Sequence, residues 1–140
     1  MSLIGSREQE AVRELFSGLQ RDVSLELALG PETTPVTVLA GGRELDFGGE
    51  TLALLEAVVA LSDRLTLTVT ETAEPGGRYP ELTIGGRLLY HGLPWGYELA
   101  TLVYAIAEAG RVEPSLSAES VAALATLERD VAIEVYVTPT

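Results

Sequence analysis

The sequence predicts an α/β fold in which a β-α-β unit is followed by a β-β-α unit, with an extra N-terminal helix and a C-terminal helix plus strand around that core. Three observations carry this. Two period-two runs, Val23, Leu25, Leu27, Leu29 and Leu65, Leu67, Val69, flank a helical pattern at Leu52, Leu55, Val58 and Val59, the order of a right-handed crossover between parallel strands. Gly85-Gly86 separates two β-prone runs, 80–84 and 87–91, as in a hairpin. Leu99, Leu102, Val103 and Ile106 then recur at helical spacing up to Gly110.

Each element has its own local reason. Ser6-x-x-Gln9 reads as a capping box, and Val12, Leu15, Phe16 and Leu19 give residues 6–20 one apolar stripe and a solvated polar face. Residues 23–29 alternate Val and Leu with Ser24, Glu26 and Ala28, a half-buried strand. Gly30-Pro31, Gly41-Gly42 and Gly48-Gly49 punctuate a short β-prone run at 36–39, predicting a hairpin insertion over 30–50. A helix follows from Glu50 to Ser62, with Glu50 complementing the positive end of its dipole. In the next strand Thr66, Thr68 and Thr70 oppose the apolar side. Gly96 or a neighbour caps the last core helix, with Glu98 in its first turn. Ser117 opens a helix through Glu128 with Val121, Leu124 and Ala125 inward, and residues 131–137 read as a strand meant for the inside of a sheet.

Composition excludes several classes of function. The chain has 140 residues, 46% of them hydrophobic, enough for one domain with a proper core. Its formal charge of -12, from nine Arg, 21 acidic residues and no Lys, repels polyphosphates and anionic lipid, so neither nucleic acid nor membrane is expected as a partner. The longest apolar stretch, Leu52–Leu61, contains Glu56 and falls well short of the roughly 20 residues a membrane span needs. The charged run from Arg7 to Glu10 does not read as an export signal, so a cytoplasmic location is expected. With no cysteine, a single histidine, His91, and Asp only at 22, 46, 63 and 130, no metal site and no cofactor is expected. His91 has no nucleophile in a partner motif, Glu56 reads as solvated, and the glycine pairs fit no phosphate-binding pattern, so no catalytic residue is predicted.

One proline and one turn add a resemblance. Pro80 opens the third core strand, and a β-α-β unit joined to a β-β-α unit with a proline there resembles the thioredoxin fold. The runs Leu54–Leu65, Tyr79–Ile84 and above all Gly92-Leu-Pro-Trp-Gly-Tyr-Glu98 resemble two families built from paired thioredoxin folds: the tandem glutaredoxin-like protein disulfide oxidoreductases, and the N-terminal domain of the flavoprotein subunit of alkyl hydroperoxide reductase. The resemblance spans roughly residues 6–137.

It implies a cis bond at Tyr79-Pro80 beside a peptide-binding groove, and a place for Glu98 near the redox centre of a following module. It also implies a division into a thioredoxin-like module, 1–112, and a linker helix with the first strand of a second, truncated module, 113–140. Where the redox helix would begin stands Phe47-Gly48-Gly49-Glu50, without sulfur. The implied function is a redox-inactive module that scaffolds and presents an adjacent Cys-x-x-Cys module, not an enzyme by itself. Its expected partner is that second module or a redox protein, with a homodimer through the C-terminal strand as a further possibility. The alternative is a stand-alone peptide-binding or dimerisation module using a sheet edge or the Tyr79-Pro80 groove. Trp95 and Tyr97 read either as a contact patch or as plugs of a small core.

Overall fold

A computed structural model describes residues 4–31, 37–38, 44–74 and 76–137. In chain order these form α1 (Ser6–Ser17), β1 (Val23–Leu29), β2 (Thr37–Val38), β3 (Glu44–Leu45), α2 (Phe47–Val59), β4 (Leu65–Glu71), β5 (Glu81–Ile84), β6 (Leu88–His91), α3 (Tyr97–Ala109) and α4 (Ala118–Ala125). The main sheet has the order β4-β1-β5-β6. β1 and β4 are parallel, with Leu25 opposite Leu67, and β1 is antiparallel to β5, with Leu27 opposite Leu82. β5 and β6 form the hairpin predicted around Gly85-Gly86, both of which have positive φ, the backbone state that only glycine adopts without strain. β2 and β3 make a separate antiparallel pair within the predicted insertion; the rest of 32–43 lies outside the described residues.

The register sorts the strand residues into two faces. Val23, Leu25, Leu27, Leu65, Leu82 and Ile84 are buried and join one cluster with Phe16 and Leu19 of the α1 segment, Leu54, Leu55 and Val58 of α2, and Leu102, Val103 and Ile106 of α3. The opposite face carries Ser24, Glu26, Thr66, Thr68, Thr70 and Leu89, all exposed. The described helices of the core therefore cover one side of the sheet, α2 against β4 and α3 against β5, with α1 beside α3. The alternation that marked these strands in the sequence is the signature of that one-sided burial.

Two helix starts differ from the sequence expectation. α1 is capped one residue earlier than Ser6: the Glu8 carboxylate accepts from the Gly5 N–H at 2.8 Å, while the Gln9 amide donates to the Ile4 carbonyl at 2.9 Å. α2 begins at Phe47 instead of Glu50, because Asp46 is its N-cap and accepts from the Gly49 N–H at 3.0 Å. Gly48-Gly49 thus lies inside the first turn, where the backbone N–H groups lack helical partners and a side-chain cap decides the start.

The C-terminal part departs further. α4 forms with the predicted Ser117 cap, which accepts from the Ser120 N–H at 3.1 Å, but it buries no residue, and Val121 and Leu124 are exposed rather than inward. Residues 131–137 join no ladder, so the predicted closing strand is absent from this chain's sheet. A strand exists only against a partner edge. This segment pairs with neither free edge, β4 or β6, and Ile133, Val135 and Tyr136 remain exposed. What is fixed is the linker before α4: Ser115 N–H donates to Glu108 at 2.8 Å and Val112 N–H to Gln20 at 2.9 Å. The Ser115 backbone and hydroxyl hold the Glu108 carboxyl below the usual carboxylate range, with Arg111 adding to the effect.

Candidate functional site

β1 and β4 are parallel, so their C-terminal ends lie at one edge of the sheet, together with the start of the crossover helix between them. A cleft opens there. It is walled by Leu29 at the end of β1 and Pro31 beyond it, by Asp46–Gly49 at the start of α2, by Glu71 at the end of β4 with Thr72 and Ala73 beyond it, and by Tyr79 and Pro80. The Tyr79-Pro80 bond is cis, and Pro80 is buried while Tyr79 is half-buried. Leu29 carbonyl accepts from Thr72 N–H at 3.0 Å, closing the floor between the two strands.

The proline side of the cleft is held by the hairpin. Pro80 carbonyl accepts from Gly92 N–H at 2.9 Å, and His91 Nδ1 lies 2.9 Å from the Arg78 carbonyl. A carbonyl can only accept, so Nδ1 carries the proton. Glu81, opposite His91 in the ladder, lies 3.6 Å from the same nitrogen. His91 therefore ties down the loop that carries Tyr79. Gly77 lies directly against the Tyr79 ring, where any Cβ would collide with it.

Chemically, the start of α2 at this cleft carries no sulfur. A thiolate at a helix N-terminus is the reactive element of a thiol redox site, because the helix field lowers the thiol pKa. Here that position is taken by the Asp46 carboxylate, followed by Phe47, Gly48 and Gly49, and the chain contains no cysteine. Among the described residues no cluster of His, Cys, Asp and Glu is able to hold a metal ion.

The remaining predicted residues lie apart from the cleft, on the turn into α3. Gly96 is the N-cap at φ 66, Trp95 is 44% exposed and Tyr97 82% exposed, so Tyr97 does not plug the core. Pro94, the proline of the Gly92–Glu98 run, is fully buried. Glu98 has one buried carboxylate oxygen without a hydrogen-bond partner among the described residues. It acts on Tyr90 of β6, whose phenol is pushed above its ordinary value first by burial and second by the Glu98 charge. A raised phenol pKa means that Tyr90 favours folding less and less as pH climbs: the neutral phenol is the form the fold tolerates, and ionising it above pH about 10 costs stability. Glu98→Gln should bring the Tyr90 transition part of the way back, burial still holding it high. Ultraviolet difference titration against a Tyr90→Phe reference reads this shift; an unmoved transition would mean the two groups do not interact.

The mixed sheet in the order β4-β1-β5-β6, the crossover helix opening at the cleft and the cis-proline at the head of β5 define a thioredoxin-type fold. Within that class the chain resembles the alkyl hydroperoxide reductase protein AhpF. It is 32% identical to that protein of Xanthomonas campestris pv. phaseoli over 109 residues, 74% of this chain and 20% of the relative. Among solved structures it matches AhpF of Enterococcus faecalis with a TM-score of 0.66 at 18% identity, over 84% of this chain and 58% of that one. It also matches a protein disulfide oxidoreductase of Aeropyrum pernix with a TM-score of 0.71 at 20% identity, over 91% of this chain and 56% of that one. The chain thus spans about one fifth of the curated relative and somewhat over half of these structures. No protein-family model matches it.

Proposed function

We propose that this chain is a redox-inactive thioredoxin-fold module that scaffolds and presents a neighbouring Cys-x-x-Cys module in a peroxide- or disulfide-reducing system. The observation that carries the reading is the cleft itself: cis-proline loop, strand ends and helix start are in thioredoxin arrangement, and the helix start holds Asp46-Phe47-Gly48-Gly49 where the chemistry needs sulfur. Similarity to AhpF supports the reducing system as the setting. The uncovered apolar residues of α4 and of 131–137 support a further module as the partner, since a helix with no buried residue gains nothing from its own module. Glu98 follows the exposed Trp95 and Tyr97 on the turn into α3, and this turn is the surface we assign to face that module.

The test is to join this chain, in place of the corresponding N-terminal segment, to the remainder of the Xanthomonas campestris protein. The hybrid is expected to retain peroxide-linked turnover within about tenfold of the parent, and Glu98→Gln in the hybrid to lower turnover or move its pH profile. A well-folded hybrid that turns over no faster than the remainder alone would contradict the scaffold role.

A further inference from the structure

A second surface lies between α1 and α3. α1 and α3 run side by side in the same direction: Ile4 and Glu8 meet Gly96 and Leu99 at the N-terminal ends, and the Gly110 carbonyl accepts from Gln20 and Arg21 N–H (2.9 and 3.1 Å) at the C-terminal ends. Between them is an open groove whose floor is Val12, Leu15, Leu99 and Val103. Tyr104, 66% exposed, stands on one rim, and Glu8 and Glu14 stand on the other. The groove runs the length of Ile4 to Leu15, about 16 Å or three helical turns.

We propose that this groove is a docking site for an amphipathic helix of a partner protein, one with leucine-like residues at three- and four-residue spacing and Lys or Arg along its flanks. The inference goes beyond the scaffold reading and does not depend on it. The dimensions fit one helix laid into a two-helix groove, and the exposed tyrosine on the rim is of the type that anchors interfaces. Charge complementarity decides the flanks. No basic side chain lines the groove among the described residues, Arg7 and Arg13 of α1 being exposed outside it, while two carboxylates do line it. The same charges disfavour a second copy of this chain. Outside the groove, the described helix that buries no residue, α4, is accompanied by Glu119, Glu128 and Asp130 against Arg129 alone, and each copy brings a formal charge of -12.

Three synthetic peptides of about 14 residues test the proposal: one with a leucine stripe and Lys flanks, its isomer with Glu flanks, and a scrambled Lys peptide without the stripe. Binding to the full chain is read by fluorescence of Trp95, the single tryptophan, and by amide shifts in nuclear magnetic resonance spectra. The Lys-flanked striped peptide should bind at least about tenfold more tightly than either control, weaken as salt rises, and shift Ala11, Leu99, Ala100 and Tyr104. Tyr104→Ala should weaken it by about tenfold. Glu14→Lys should weaken it several-fold and improve binding of the Glu-flanked isomer. Both positions are exposed, so both variants should retain the native circular dichroism spectrum. Equal affinity for the two striped isomers, shifts confined to other surfaces, or no saturation by any peptide would overturn the proposal. So would light scattering that shows a dimer of the free chain dissolved by Glu14→Lys or Tyr104→Ala, which would make a second copy the occupant.

Discussion

Leu55→Ala is expected to destabilise the chain by about 2–5 kcal/mol, the cost of removing three buried carbons and leaving a cavity. Leu55 is 0% exposed, and it sits on α2 in the cluster that also contains Leu25 and Leu27 of the central strand and Ile106 of α3. α1, α2 and α3 press on one side of a single sheet, so this cluster is the core on which all of them depend. Natural domains of this size are stable by only about 5–15 kcal/mol, so the variant loses a large fraction of that margin. Urea denaturation should show a lower midpoint with an unchanged slope. The neighbouring Glu56→Ala serves as control: Glu56 is exposed, and its removal should move stability by no more than about 0.5 kcal/mol. Equal effects at 55 and 56 would mean that α2 does not pack as described.

The second large effect is a gain. Asp46→Cys with Gly49→Cys places a Cys-x-x-Cys pair on the first turn of α2, facing the cis-proline loop. A Cβ built on Gly49 lies against the Asp46 side chain, so side chains at these two positions meet, and Asp46 is the neighbour a residue at 49 would have to displace. Loss of the Asp46 cap should cost about 1 kcal/mol. In exchange, the thiol at 46 stands at the positive end of a 13-residue helix, which lowers its pKa toward neutrality. The double variant should form the intramolecular disulfide on mild oxidation and, with dithiothreitol as electron donor, reduce insulin disulfides at a rate clearly above the reagent background. Each single variant has one thiol and should not sustain turnover. A disulfide that forms readily but never exchanges with substrate would show that the cleft lacks the access of a thioredoxin site.

Much of the fold was legible because its signals are local. The alternation at 23–29 and 65–71, the Gly85-Gly86 turn and the stripe of α3 each follow from which side chains must leave water, and one-sided burial made the strands alternate cleanly. The start of α2 was misread because Gly48-Gly49 signals a break, whereas the Asp46 side chain reaches across it to Gly49. At the other end, the apolar periodicity of 117–137 shows which residues want cover, but periodicity cannot tell whether the cover lies in the same chain. That is why the inward face of α4 and the strand at 131–137 were expected and are not found.

The candidate site was legible in part. Tyr79-Pro80 came from the resemblance, and the missing sulfur from composition. The link from His91 to the Arg78 carbonyl spans 13 residues and leaves no mark in spacing. The α1–α3 groove was hidden for a related reason: each helix shows an apolar stripe, but the residues alone do not reveal that two stripes meet side by side without closing over each other.

The most direct test of the central claim uses the unmodified chain. Purified and given dithiothreitol at neutral pH, it should reduce insulin disulfides no faster than dithiothreitol alone, at any protein concentration, while folding cooperatively with its cis-proline cleft intact. Turnover that scales with the amount of this protein and survives repurification would contradict the proposed redox-inactive module.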